Sequence, residues 1–203
     1  LFTIISMSLI FANIKIDMKP GYRYISRYRT IDSQPIETLF QKIGRKYQKA
    51  LREGEEKYMD GAWLKQNVAF SGEVWMGHLR YGTHGKNNIE NCHPFLRQNN
   101  WRSRNLVVAG NFNMTNVDEL FEKLIELGQH PKEKVDTVTA MEKIGHFLDE
   151  ENELIFRKHK KTHSNADLTQ LIEDKIDLQR VLNRSCKDFD GGYAITGMVG
   201  YGA

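Results

Sequence analysis

The spacing of apolar positions along the chain changes several times, and each change marks an element. The opening run, "LFTIISMSLIFA", is almost uniformly apolar and predicts a buried strand that continues through "NIKI". It is too short to span a bilayer, and it lacks the basic flank of a signal peptide. Pro20 and Gly21 predict a turn, after which the alternating aromatics of "YRYISRYRT" predict a second strand. Between residues 35 and 54, Ile36, Leu39, Phe40, Ile43, Tyr47, Ala50 and Leu51 recur at helical spacing. They predict a one-sided helix that stops at Gly54. "GEVWMGHLRYG" and "NLVVAGN" predict two further strands, the second ending at a Gly-Asn turn.

Asn116 stands three residues before Glu119, ahead of Val117, Leu120, Phe121, Leu124 and Ile125. That pattern predicts an N-capped helix terminated at Gly128. Asp136 is placed to cap another helix bearing Val138, Met141, Ile144 and Leu148. The charged stretch 156–165 reads as a solvated connection, followed by a helix over 167–183 and a closing strand in "GGYAITGMVGYG". Strands and helices are grouped more than alternated, which favours α+β layers over a doubly wound sheet. A length of 203 residues suits one sizeable domain or at most two small ones.

Composition changes this picture little. Apolar residues at 40% and charged residues at 27% fit an ordinary globular protein. Lys and Arg number 29 against 26 Asp and Glu, a scattered net charge of +3 that argues against a nucleic-acid partner. Two cysteines, Cys92 and Cys186, make no disulfide framework, so a cytoplasmic location is expected. The missing initiator Met and the ending "VGYGA" suggest a piece of a longer protein.

Candidate chemistry concentrates in "MGHLRYGTHGKNNIENCHPF", residues 76–95. A local Cys92–His93 dyad is disfavoured, because neighbours in an extended segment point to opposite faces and Pro94 pushes His93 towards that conformation. His78, His84, Cys92 and His93 match no compact zinc spacing, so no metal is expected. A buried thiol and a structural histidine before a turn are the plainer reading. Arg80, at a strand end before a Gly-containing loop, suits a bidentate grip on a carboxylate, with Thr83 adding a hydroxyl. On composition alone, a surface ion pair is the more ordinary account of Arg80. In "AGNFNMTN", an Asn amide and backbone N–H groups at a turn can stabilise an oxyanion, and plain turn chemistry is the competing account.

Taken together, "GHLRYGTHG", "HPF" and "GNFNMTNVDEL", followed by "VDTVTAM", resemble the class II glutamine amidotransferase domain over nearly the whole chain. The likeness is to the amidophosphoribosyltransferase family in particular. It implies the four-layer αββα sandwich of N-terminal-nucleophile hydrolases, here incomplete at both ends, with residues 1–203 forming a partial amidotransferase domain. It implies that Arg80, helped by Tyr81 and Thr83, pairs with the α-carboxylate of glutamine, while Asp136 holds the α-ammonium. Asn111 and the backbone N–H of Phe112 would donate to the oxyanion. Phe112 stands where the family commonly has Gly, which puts a tight turn there in question. The resemblance thus predicts a pocket for one amino acid on which Arg80, Asn111 and Asp136 converge.

In that family the N-terminal Cys attacks the side-chain amide of glutamine, with its own α-amine as base. Residue 1 is Leu, and no Cys precedes Cys92. The expectation is therefore a glutaminase half, supplying ammonia for phosphoribosylamine formation, whose chain as given is inactive. Phosphoribosyl pyrophosphate and Mg2+ would belong to a phosphoribosyltransferase domain that has no counterpart here, and this domain itself would need no cofactor. A homo-oligomer is expected at full length, with no membrane partner. The competing readings are the glutaminase domain of glucosamine-6-phosphate synthase, which shares an "R-x-x-T-H-G" loop, and a non-catalytic truncated relic.

Overall fold

A computed structural model describes residues 7–54, 60–81, 89 and 92–202. The chain divides at Pro94 into two compact units. In the first, strands β1 (Met7–Ile14), β2 (Ile25–Thr30) and β3 (Val74–Tyr81) form an antiparallel sheet in the order β2-β1-β3. The central strand β1 buries Ile10, Ala12 and Ile14, as its unbroken apolar run requires. Helix α1 (Pro35–Gly54) packs on β1 and β2 and buries Leu39 and Ala50, whereas Ile36, Phe40 and Leu51 stay exposed. A short helix α2 (Gly61–Asn67), absent from the sequence reading, is capped by Asp60, whose carboxylate accepts from the Ala62 N–H. The side chain of Asn13 bridges β1 to the start of β3, accepting from the Gly72 N–H and donating to the carbonyls of Gly72 and Val74.

Lys15, just past β1, is 2% exposed. Burial, together with Arg23 and Lys65, holds its ammonium below the usual lysine range, and the Glu73 carboxylate opposes the shift. A lysine whose pKa falls on folding costs stability below its folded pKa, and the cost fades as pH rises through that value towards the unfolded one. Lys15→Met keeps the packed stem and removes the charge. It should raise stability by about 1 kcal/mol at pH 7, a gain in Tm of about 2–4 °C that shrinks as pH rises towards about 10. Thermal melts at the two pH values check this; a lower Tm at pH 7 would show that the ammonium is net favourable.

The second unit is built on β4 (Phe95–Arg97), β5 (Leu106–Met114) and β6 (Gly191–Val199), antiparallel in the order β4-β5-β6. Its helices are α3 (Val117–Glu126), α4 (Asp136–His159), α5 (Asn165–Lys175) and α6 (Leu178–Cys186). Leu106, Val108 and Val199 from the sheet meet Met141, Ile144 and Leu148 from α4 and Val181 from α6 in one buried cluster. Each unit thus joins an antiparallel sheet to helices, an α+β arrangement. Among the described residues no helix is long and apolar enough to cross a membrane.

Four sequence expectations are corrected here. Strand β5 does not end at Gly110 and Asn111 but pairs with β6 through Met114, because nine residues of β6 lie alongside to satisfy it. Helix α4 runs through the first four residues of the expected connection 156–165, carried on by the buried Ile155 and the Glu153–Arg157 pair. The expected helix 167–183 is two helices, broken where the Asp177 carboxylate caps α6 by accepting from the Arg180 N–H. Asn116 occupies the N-cap position of α3 but makes no capping bond. Its amide instead donates to the Asp188 carbonyl and accepts from the Asp190 N–H, tying the end of β5 to the start of β6.

Candidate functional site

Strand β3 delivers Arg80 and Tyr81 to its C-terminal end, where they pair with Ser8 and Met7 of β1. Their side chains, and the whole of Thr83 and His84, lie outside the described residues. Further back on the strand, the His78 ring stacks on His93 with centroids 4.7 Å apart. His93 and Cys92 are both buried, and the His93–Pro94 peptide is cis. Among the described residues, no group of three His, Cys, Asp or Glu side chains could hold a metal ion. Burial pushes the Cys186 thiol up from its ordinary pKa, with Lys143 opposing, so it is poorly ionised at neutral pH.

The other candidates belong to the second unit. Register with β6 makes β5 a continuous strand through Asn111 and Phe112, so successive side chains leave opposite faces of the sheet. Phe112 shares a face with Leu106 and Val108 and packs against the helix-covered core. Asn111 is exposed and leaves the opposite face. The question of a tight turn at Phe112 therefore disappears: its backbone is extended strand, outside the positive-φ residues, where any side chain is tolerated.

Asp136 is the first residue of α4 and is half-buried. Val135, not Asp136, occupies the cap position, so the expected capping role moves by one residue. The carboxylate accepts from the Thr137 N–H at 2.7 Å and from the Thr137 hydroxyl at 3.2 Å, both on Oδ1. An ionised carboxylate in the first turn is favoured by the positive end of the helix dipole.

Helix α4 runs antiparallel to β5. Near its C-terminal half, Asn152 hydrogen-bonds Ser103 just before β5 begins. From Asn152 back to Asp136 is about 24 Å of helix, and β5 covers about 20 Å between Leu106 and Phe112. Asp136 thus starts its helix at the end of the unit where β5 carries Asn111 and Phe112. The two elements share an end of the unit, but the Asn111 amide and the helix lie on opposite faces of the sheet.

Sequence reasoning missed the residues that brace this end. Lys143 is buried on α4 yet reaches the Asp188 carboxylate at 3.2 Å and stacks its ammonium over Phe189. Its hydrogen bond and charge hold Asp188 below the usual carboxylate range. Thr115 hydrogen-bonds Asp190 beside it. No local signal marked Lys143, which lies about 100° round the helix from Ile144 and off the predicted apolar face.

No family model matches the chain. Amidophosphoribosyltransferase of Archaeoglobus fulgidus is 28% identical over 109 residues, which is 52% of this chain and 23% of that protein. The isomerizing glutamine–fructose-6-phosphate aminotransferase of Sulfurisphaera tokodaii is 32% identical over 100 residues, 49% of this chain and 16% of that one. Among solved structures, the glutamine phosphoribosylpyrophosphate amidotransferase of B. subtilis, complexed with ADP and GMP, covers 97% of the chain. It does so with a TM-score of 0.50 at 20% identity. A structure of the allosteric regulatory enzyme of purine biosynthesis covers the same share with a TM-score of 0.53 at 18% identity. The chain spans under a third of the length of each of these proteins. These likenesses give the chain the fold of the two solved enzymes and make about half of it similar in sequence to amidophosphoribosyltransferase and to the isomerizing aminotransferase.

Proposed function

We propose that this domain binds glutamine and serves the release of its amide nitrogen as ammonia, for amination of phosphoribosyl pyrophosphate in the first step of purine synthesis. One observation carries the reading. Stretches of about half the chain match two enzymes named for different acceptors, a phosphoribosyl group and fructose 6-phosphate. What such enzymes can share is the nitrogen donor, and glutamine stands in the names of both a sequence relative and a solved structure. In this reading Arg80 forks onto the α-carboxylate, with Tyr81 and Thr83 beside it, and Asp136 takes the α-ammonium. Asn111 and the Phe112 N–H face the developing oxyanion. Phosphoribosyl pyrophosphate, Mg2+ and a homo-oligomeric state belong to a longer protein, and a cytoplasmic setting suits this chemistry. The second reading keeps glutamine and changes the acceptor to fructose 6-phosphate, favoured by the 32% identity to the aminotransferase.

The covalent step needs an N-terminal thiol whose own amine is the base. Cys92 is buried and Cys186 is held as a thiol, and both lie within the chain with amides in place of amines. A polypeptide beginning at Leu1 should therefore bind L-glutamine by calorimetry yet release no glutamate above a heat-killed control. Asp136→Asn should weaken that binding about 30-fold or more, the effect of removing one partner of a desolvated charge pair. Unchanged affinity in Asp136→Asn would sink the assignment of Asp136, and glutamate release would sink the account of the nucleophile.

A further inference from the structure

In the first unit, the second half of α1 and the short helix α2 border a cleft of about 390 Å³, with the buried Ala50 and Val68 at its base. Trp63 of α2 forms one wall. A Cβ on Gly54 would crowd that indole at 3.1 Å, so the glycine that ends α1 lets the ring lie against the helix. Asn67, one turn further along α2, donates Nδ2 to the Trp63 carbonyl at 2.9 Å, which leaves its Oδ1 as an acceptor at the mouth. Lys46, Lys49 and Glu53 line the mouth from one stripe of α1. Lys49 and Glu53 stand 3.7 Å apart with side chains 69% and 65% exposed, a pair too solvated to fix either group. Among the described residues, Lys46 has no ion pair.

We propose that this cleft binds a small aromatic carboxylate, its ring laid against Trp63 and its carboxylate held between Lys46 and Lys49. The size and the apolar base with a few polar groups at the mouth are those of a small-molecule site. An indole wall offers an aromatic ring an offset-stacked contact beyond simple burial. The formal charge at the mouth is +1, two lysines against one glutamate, which matches a monoanion and not a polyphosphate. Lysine stems can cover the edge of the ring while their ammonium groups reach its head. The Asn67 Oδ1 adds an acceptor for an N–H or hydroxyl on the ring. The lysines of α1 alone would form an ordinary solvated face; the indole-walled space beneath them gives a ligand somewhere to sit.

Indole-3-acetate, indole-3-acetamide and tryptamine carry one ring with an anionic, a neutral and a cationic head. Each can be titrated at low ionic strength by following the indole N–H resonance of Trp63, with those of Trp75 and Trp101 as internal controls. Indole-3-acetate should move the Trp63 resonance alone, with a Kd on the order of 100 µM. The acetamide should bind about tenfold more weakly, and tryptamine more weakly still. Lys46→Gln with Lys49→Gln changes two exposed positions. It should weaken the acid about tenfold and leave the affinity for the acetamide unchanged, which also shows that the variant is folded. Equal affinities for the three ligands, an acid indifferent to the loss of both lysines, or a Trp63 resonance that stays still at several millimolar acid would each overturn the proposal.

Discussion

Gly110→Ala should unfold the second unit or come close to it, losing about 3–5 kcal/mol. A Cβ at this position would lie 2.4 Å from the Ala194 carbonyl oxygen across the ladder and 2.8 Å from the ring of Phe112. The ring could turn aside, but the carbonyl belongs to the neighbouring strand's backbone. Relief therefore requires β5 and β6 to part along the stretch where Gly110 pairs with Ile195 and Asn111 with Ala194. The same ladder fixes which faces Asn111 and Phe112 occupy, so the loss should reach the candidate oxyanion donors as well as stability. Gly192→Ala is the control: a Cβ there meets nothing within 4 Å, and the change should stay within about 0.5 kcal/mol of wild type. Urea titrations of both variants make the comparison, and a Gly110→Ala protein within 1 kcal/mol of wild type would contradict the geometry.

That glycine also shows where reading the sequence stopped short. Gly-Asn after "NLVVA" is a strong local turn signal, yet cross-strand pairing with β6 overrode it and carried β5 four residues further. Long periodic segments gave themselves away: α1 and α3 fall where their apolar spacing put them, and β1, β3 and β6 where their apolar runs lay. β4, at three residues, and α2, at seven, are too short for a period to register. The break between α5 and α6 was written in Asp177 followed three residues later by Arg180, a cap hidden inside an otherwise helical pattern. For the candidate site, the order of motifs named the residues, but only strand register reveals that Asn111 and Phe112 leave opposite faces. The bracing of that end by Lys143 depends on residues 45 positions apart and could not be read locally.

Arg97→Met should be nearly as damaging as the glycine change, at about 3–5 kcal/mol, because it strands two half-buried carboxylates rather than merely deleting a bond. The guanidinium of Arg97 is mostly buried and forks onto Asp149, with Nη2 donating at 2.5 Å and Nη1 at 3.3 Å, while Nε donates to Glu142 at 3.1 Å. Burial alone would lower its pKa, yet the two carboxylates hold it above the usual arginine value. The backbone makes room for this arrangement. A Cβ at Gly145 would fall 2.5 Å from Cδ and Nε of Arg97, so the helix tolerates a mid-helix glycine, at about 1 kcal/mol, to let the side chain cross it. Without the cation, Glu142 and Asp149 lie two turns apart on one face of α4, partly desolvated and repelling each other. Urea titration of Arg97→Met at pH 7 should show this deficit. Adding Glu142→Gln and Asp149→Asn should recover most of the loss at pH 7. A deficit unrelieved by neutralising both carboxylates would mean that the lost packing of the arginine stem, and not its charge, holds α4 on β4.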